Sequence, residues 1–194
     1  MKKLVILIII MIPVLLITSC EKSDRTNNVV INSHEIFDAE NPASKVHINQ
    51  IASEYLDIHY DGEKHYNLDI EIWEKGKLVD IIRKAMDIAL ADYQGLSIEI
   101  DDSNPLAYAV IIGMYSNGGA TAIRFDVDMN ANNANGTFES SYVDERSIAD
   151  DIKVPLWGYH QFNDMTSPYA DVYDAAKNTE SSIVLKLSPM NDSD

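Results

Sequence analysis

Three aromatic residues and a neighbouring histidine could stack against a ligand. Trp73 falls on the polar side of an alternating segment, and Trp157 and Tyr159 share one side of another segment, with His160 next in sequence. Exposed rings on a β-sheet can stack on sugar rings or anchor a protein partner. These four side chains are therefore one candidate ligand surface. Core or edge packing is the favoured alternative, because a large aromatic residue in a small domain is usually mostly buried.

The segment from Asp128 to Glu139 carries the ligand types that a hard cation prefers. Oxygen-bearing side chains stand at positions 1, 3, 5 and 12 of this stretch, which resembles the calcium loop of EF-hands. Asn133 and Asn135 depart from that pattern at the positions of the usual Gly and aliphatic residue, which favours an ordinary Asn-rich turn between strands. Calcium remains a hypothesis, with the candidate ligands Asp126, Asp128, Asn130, Asn132 and Glu139.

The motifs of the common catalytic classes are missing from the sequence. It contains no P-loop, dinucleotide glycine fingerprint, His-Glu-x-x-His, Cys-x-x-Cys or Gly-x-Ser-x-Gly. Residues 113–118 miss the last spacing by one residue, and Ser116 is interpreted as a turn residue. The five histidines show no tight metal-ligand spacing. A carboxylate pair for glycoside hydrolysis stays open, but nothing selects two of the 31 acidic residues.

The pattern of the N-terminal residues predicts an export signal. Met1-Lys2-Lys3 precedes an apolar run over 4–17, which is shorter than the roughly 20 residues of a comfortable membrane span. The motif Ile17-Thr18-Ser19-Cys20 resembles the lipobox of bacterial lipoproteins. The resemblance implies removal of a signal peptide over 1–19 and attachment of diacylglycerol and palmitate to Cys20. Two acyl chains would hold the protein stably on a membrane.

Composition narrows the function classes further. The chain has 194 residues, and 31 acidic against 15 basic residues give a net charge of −16. Such a surface repels nucleic acid and does not adhere to anionic lipid through a basic patch. A hydrophobic content of 46% is too high for a disordered chain, and the length fits one domain. Cys20 is the sole cysteine, so an exported form has no disulfide within the chain.

The mature chain divides into three predicted parts. Residues 20–44 contain asparagines and charges with one short apolar patch, and they are predicted to be the lipidated Cys and a flexible tether. Residues 45–190 are predicted to be a single domain, and 191–194 a short tail.

Period-2 alternation dominates the predicted domain. Residues 66–73 and 121–129 alternate between apolar and polar side chains, which predicts half-buried strands, whereas 108–114 is apolar on both faces and suits the middle of a sheet. Asp61-Gly62 is predicted to be a hairpin turn between strands ending at Tyr60 and beginning at His65. Two more turns are predicted over 74–77 and 117–119. Further strands are predicted over 46–51, 96–100, 138–143, 154–162 and 183–187.

Helical spacing occurs in two places. Tyr169, Val172, Tyr173 and Ala176 follow Ser167-Pro168, which suits an N-cap with Pro in the first turn. Residues 81–93 also fit one helical face, although 78–82 could equally continue as a strand. The predicted fold class is mainly β: an antiparallel β-sandwich, Ig-like or similar, with one or two short helices.

These features predict a lipid-anchored protein on the extracytoplasmic face of the cell membrane, or of the outer membrane in a Gram-negative cell. The leading hypothesis is a non-enzymatic module that binds an envelope protein or glycan and needs no cofactor. An envelope hydrolase using carboxylates, with His160 as a further candidate, and a calcium-stabilised structural module are the alternatives. Residues 71–77 and 156–160 resemble in sequence small uncharacterised lipoproteins of Gram-positive bacteria, and this resemblance implies no activity.

Overall fold

The computed structural model describes residues 28–34, 53–82, 87–104, 107–129, 134–141, 146–149, 151–164 and 169–190. Strands dominate these ranges, and one α-helix and one 3-10 turn accompany them. The strands are β1 (Asn28–His34), β2 (Ser53–His59), β3 (His65–Glu74), β4 (Lys77–Ile82), β5 (Ile88–Ala89), β6 (Gly95–Asn104), β7 (Ala107–Ser116), β8 (Gly119–Val127), β9 (Gly136–Ser141), β10 (Arg146–Ala149), β11 (Val154–Phe162) and β12 (Ser181–Pro189). The helix α1 spans Val172–Asn178, and the 3-10 turn spans Leu90–Asp92.

Two antiparallel sheets form the sandwich, which confirms the predicted fold class. Sheet I has the order β10-β1-β2-β6-β7-β8, and sheet II has the order β4-β3-β12-β11-β9, with β5 paired to β3. The inward-facing rows of both sheets build one hydrophobic core, which includes Ile31, Ile98 and Ile112 from sheet I and Trp157 and Leu185 from sheet II. Burial of these rows fixes the register, because a slip of one residue would turn each row toward solvent.

Most predicted strands and two of the turns are confirmed. The strands predicted at 96–100, 138–143, 154–162 and 183–187 correspond to β6, β9, β11 and β12, and the prediction for 46–51 lies outside the described residues. The turn at 74–77 joins β3 to β4, with Lys75 and Gly76 at φ of 47° and 74°. A Cβ on Gly76 would lie 2.4 Å from the Lys177 carbonyl oxygen, so this position requires glycine.

The predicted hairpin at Asp61-Gly62 is wrong. β2 pairs with β1 and β6 in sheet I, whereas β3 pairs with β4, β5 and β12 in sheet II. The segment instead carries the chain from one sheet to the other. Tyr60 stabilises this crossing, because its ring lies over Gly62 and meets the edge of Tyr66 at 5.5 Å between ring centroids.

The tether predicted over 20–44 is wrong for residues 28–34. This stretch forms β1, which lies between β10 and β2, and Val29 and Ile31 are buried in the core. The short apolar patch of this segment is thus a strand of the sandwich, whose first strand begins well before residue 45. Its burial contributes about 1.5–3 kcal/mol per large apolar side chain, which explains why the patch pairs with the sheet.

Strands β3 and β4 form a hairpin in which β3 is mostly buried and β4 is mostly exposed. β3 was predicted to be half-buried, but residues from Leu68 to Ile72 are buried on both faces. β4 is an edge strand of sheet II and is exposed along nearly its whole length. Val79 is an extra residue in a β-bulge opposite β3, and the Ile81 amide donates to the Asp80 carboxylate at 2.8 Å.

Helix α1 confirms the short helix predicted after residue 169, with a later start. Asp171 is the N-cap and accepts a hydrogen bond from the Asp174 amide at 2.7 Å. The predicted cap at Ser167-Pro168 lies outside the described residues. For residues 81–93, β4 extends to Ile82 and a short strand and 3-10 turn follow from Ile88, so the strand interpretation holds there, while 83–86 are outside the described ranges.

Candidate functional site

A polar cleft opens at one end of the sandwich, where the strands of sheet II meet the connection into β9. It encloses about 570 Å³, within the ~300–1,000 Å³ range of ligand pockets. The described residues that line it are Glu74, Lys75, Ala134, Gln161, Asn163, Glu180 and Ser181. Six of these seven side chains are polar or charged, so the cleft suits a ligand that forms hydrogen bonds.

The floor of the cleft is a buried hydrogen-bond chain. Gln161 continues the inward row of Trp157 and Tyr159 on β11 and is 1% exposed. Its Nε2 donates to the Tyr108 hydroxyl of sheet I at 2.8 Å, and its Oε1 accepts from the Ser181 hydroxyl at 2.7 Å. This chain joins the two sheets at the base of the cleft and fixes the orientation of the Gln161 amide.

Backbone hydrogen bonds hold the rim of the cleft. The Lys75 amide donates to the Glu180 carbonyl at 2.8 Å, and the Glu180 amide donates to the Gln161 carbonyl at 2.9 Å. On the other side, the Asn135 side-chain amide donates to the Asn163 carbonyl at 3.0 Å. The rim is therefore built before any ligand arrives, which lowers the entropic cost of binding.

The two central rings of the predicted aromatic surface are not exposed. Trp157 and Tyr159 are buried in the core, where Tyr159 lies against Tyr108 at 5.9 Å between ring centroids. The Trp157 indole donates to the Glu139 carboxylate at 3.2 Å. Trp73 is partly buried, because Tyr173 of α1 packs against it at 5.8 Å between centroids. Core and edge packing, the alternative considered from the sequence, is thus confirmed for these rings.

His160 is completely buried beneath α1 and lies between two serines. Its Nε2 is 2.6 Å from the Ser140 hydroxyl, and its Nδ1 is 2.8 Å from the Ser182 hydroxyl, which also bonds Thr179 at 2.8 Å. Phe138 stacks on the imidazole at 4.9 Å between centroids. Burial lowers the pKa of His160 to about 4, because desolvation disfavours the charged ring. The imidazole is neutral at pH 7 and is a weak base.

A charged network lies on the same outer face of sheet II, on the neighbouring strands β3 and β12. The Lys186 ammonium bonds the Glu71 carboxylate and lies 3.5 Å from the carboxylate of the fully buried Asp69. The Trp73 indole also donates to Glu71 at 3.1 Å. Burial, followed by the charge of Glu71, raises the pKa of Tyr173. Asp69 and Glu71 belong to the polar row of β3 that was predicted to face solvent, but they are buried, and Lys186 offsets part of their charge.

The structure does not assemble the predicted calcium ligands from the part of the loop that it describes. Asp126 lies on β8 and pairs with Arg124 at 3.4 Å, Asp128 is exposed, and Glu139 accepts from Trp157 on sheet II. Across the described ranges, no three His, Cys, Asp or Glu side chains are grouped as a metal site requires. Asn130 and Asn132 lie outside those ranges, so calcium binding by the whole loop stays a prediction.

Cys20 and the apolar segment before it also lie outside the described residues. Within the part of the chain that the structure covers, no helix is long and apolar enough to cross a membrane. No protein family, curated protein or solved structure matches the chain. The functional argument therefore depends on the residues themselves.

The cleft residues were missed by sequence reasoning, although one signal was present. Gln161 and Ser181 stand on rows whose other members are apolar, so each is a polar residue in a core-facing position. Such a residue must find a buried hydrogen-bond partner or line a cavity. Glu74 and Lys75 carried no comparable signal, because charged residues in a turn are ordinary surface features.

Proposed function

We propose that the protein is a lipid-anchored, extracytoplasmic binding module whose ligand occupies the polar cleft. The observation that carries the binding function is the cleft itself, since its buried floor and hydrogen-bonded rim present polar groups in a fixed arrangement. The lipobox motif ending at Cys20 supports the anchor. The proposed binding function requires no catalytic residue in the cleft.

The start of β1 supports a short link between membrane and domain. Seven residues, 21–27, separate Cys20 from Asn28, the first residue of β1. A fully extended chain of this length spans roughly 28 Å at most. The end of the sandwich that contains Asn28 is therefore held close to the lipid if Cys20 is acylated.

Strand directions in sheet I support a cleft that opens away from the membrane. β1, β2, β6 and β7 are neighbours with alternating directions, so Asn28 and Tyr108 lie at opposite ends of this sheet. Tyr108 bonds Gln161 on the floor of the cleft. The cleft therefore belongs to the end opposite the proposed anchor, where an envelope ligand can reach it.

Metabolic labelling with palmitate tests the anchor. The full chain expressed in bacteria should incorporate the label and partition with membranes, and Cys20→Ala should abolish both. Ser23→Ala, three residues away, is the matched control and should label normally. Unchanged labelling of Cys20→Ala would overturn the proposed anchor.

Site-directed fluorescence tests the orientation. A dye on Glu180→Cys, at the cleft, should be quenched less by headgroup-labelled lipid than a dye on Glu63→Cys, at the end that contains Asn28. Both positions are exposed, so neither label disturbs the core. Equal or reversed quenching in the acylated protein would contradict the proposed orientation.

A further inference from the structure

We infer that the cleft takes a neutral, hydroxyl-rich ligand, namely a short saccharide unit of the envelope, and that Gln161, Asn163 and Ser181 recognise it. This inference rests on the proposed binding function and names its ligand class. It follows from three properties of the cleft: its charge, the chemistry of its lining and the state of the strands around it.

Charge argues against an acidic ligand. The described lining contains two carboxylates, Glu74 and Glu180, and one ammonium, Lys75, and the whole chain carries a net charge of −16. A phosphate or uronate would enter against this field. A neutral ligand meets no such repulsion and can use the hydrogen-bonding groups of the lining.

The lining offers side-chain groups that match hydroxyls. Gln161 uses one amide N–H toward Tyr108 and one carbonyl lone pair toward Ser181. A primary amide has two N–H donors and two acceptor lone pairs, so the Gln161 amide at the floor of the cleft retains one of each beyond these two bonds. Asn163 adds a second amide at the rim, and each amide can both donate to and accept from a sugar hydroxyl.

The neighbouring strands argue against a peptide as the ligand. An extended peptide binds by adding to the free edge of a sheet, where backbone groups are available. The cleft lies at the ends of β3, β11 and β12, each of which is paired on both sides. Ala134 is the sole apolar side chain among the described lining residues, so these residues form no apolar cluster that could anchor a hydrophobic peptide side chain.

The test is a titration of the full chain in detergent micelles, by isothermal calorimetry, with three probes of similar size. These are N,N′-diacetylchitobiose, which is neutral and hydroxyl-rich, digalacturonic acid, which is anionic, and N-acetyl-trialanine amide, a neutral peptide. We expect binding of the neutral disaccharide alone. Asn163→Ala and Gln161→Leu should each weaken it about tenfold, the effect expected of a lost ligand hydrogen bond.

Controls keep the outcome interpretable. Asn163 is partly exposed, so its variant keeps the fold even if the buried Gln161→Leu does not, and Glu63→Gln at the opposite end should bind within about twofold of wild type. Absence of disaccharide binding at roughly 10 mM, or equal affinity in Asn163→Ala, overturns the inference. Binding of the peptide or uronate that is lost in Asn163→Ala overturns the saccharide class while leaving the cleft as the binding site, and palmitate labelling reports separately on the anchor.

Discussion

Two buried polar networks share the outer face of sheet II, and they solve the problem of burial differently. Around His160 the groups are neutral: two serines satisfy both ring nitrogens, and the ring stays uncharged. Around Lys186 the groups are charged: one ammonium faces two carboxylates, Asp69 and Glu71. Neutrality and ion pairing are thus two ways to offset the same desolvation cost.

The two networks should fail in different ways. A neutral network loses a hydrogen bond when one member is removed, whereas a charged network leaves an uncompensated charge in a buried site. A neutral histidine also makes stability depend on pH, because protonation would place a charge in a site built without a counter-ion.

The largest effect is expected from removing the cation of the charged network. Lys186→Met keeps the length of the side chain but leaves the Asp69 and Glu71 carboxylates buried without their ammonium. We expect the free energy of unfolding to fall by about 3–5 kcal/mol, measured by urea denaturation. Lys153→Met is the matched control, since Lys153 is exposed and should change stability by less than about 0.5 kcal/mol. A loss of unfolding free energy below about 1 kcal/mol in Lys186→Met would show that the ion pairs of Lys186 with Asp69 and Glu71 are not effectively buried.

Acid should weaken the neutral network next. The folded-state pKa of His160 is about 4, below the unfolded value of roughly 6.5, so the unfolded state binds more protons between these values. Stability is therefore fully present above pH 6.5 and falls as the pH drops toward 4, by about 3 kcal/mol.

Comparison with a variant isolates this effect. Burial raises the pKa of Glu54, which contributes the opposite slope, a stability that is lost as the pH rises. The free energy of unfolding of wild type and of His160→Gln is measured at pH 7, 5.5 and 4. The contribution of Glu54 is common to both proteins and cancels in the difference between their free energies, which should shrink on acidification. A constant difference across the three pH values would mean that His160 does not titrate in the folded state as described.

A smaller effect separates the two serines of the neutral network. Ser182 is fully buried and bonds both His160 and Thr179, so Ser182→Ala should cost about 1–3 kcal/mol. Ser140 is partly exposed on the edge strand β9, where water can replace its hydroxyl, and Ser140→Ala should cost less than about 1 kcal/mol. Thermal melts of the two variants measure the ranking, and a reversed ranking would contradict the burial argument.

A similarly small effect concerns the helix that packs on sheet II beside both networks. Asp171→Ala removes the N-cap of α1 and should cost about 1 kcal/mol, whereas Asp171→Ser should retain most of the cap. Because α1 is short and packed on the sheet, the loss should appear as faster amide hydrogen exchange in 172–178 before global stability changes. Equal exchange in the Ala and Ser variants would assign the stability of the helix to packing alone.

Sequence patterns predicted the strands well because alternation reports directly on one buried face. The pattern at β8 is such a case, since Phe125 and Val127 are buried and Arg124 and Asp126 are exposed. The same pattern misled at β3, where Asp69 and Glu71 resemble a solvent-facing row. Their burial depends on Lys186, which is more than a hundred residues away in sequence, and no local period carries that information.

The cleft was the hardest feature to predict, because it is a product of topology. Its residues come from the ends of β3, β11 and β12 and from the segment before β9, and their meeting depends on strand order. The same limit applied to Asp61-Gly62, where local turn chemistry predicted a hairpin and gave no signal that the chain changes sheets.

The exposed edge strand β4 bears on how readily copies of the protein associate with one another. An apolar edge strand with Leu78, Val79 and Ile81 on the outside is a template for growth of a sheet from one molecule to the next. The bulge at Val79 bends this edge, and the Asp80 carboxylate accepts a hydrogen bond from the amide of Ile81, so a second strand would meet a curved and partly capped border. β4 is thus apolar enough to pair with a strand of a second molecule, but the shape of its edge resists growth of a continuous sheet.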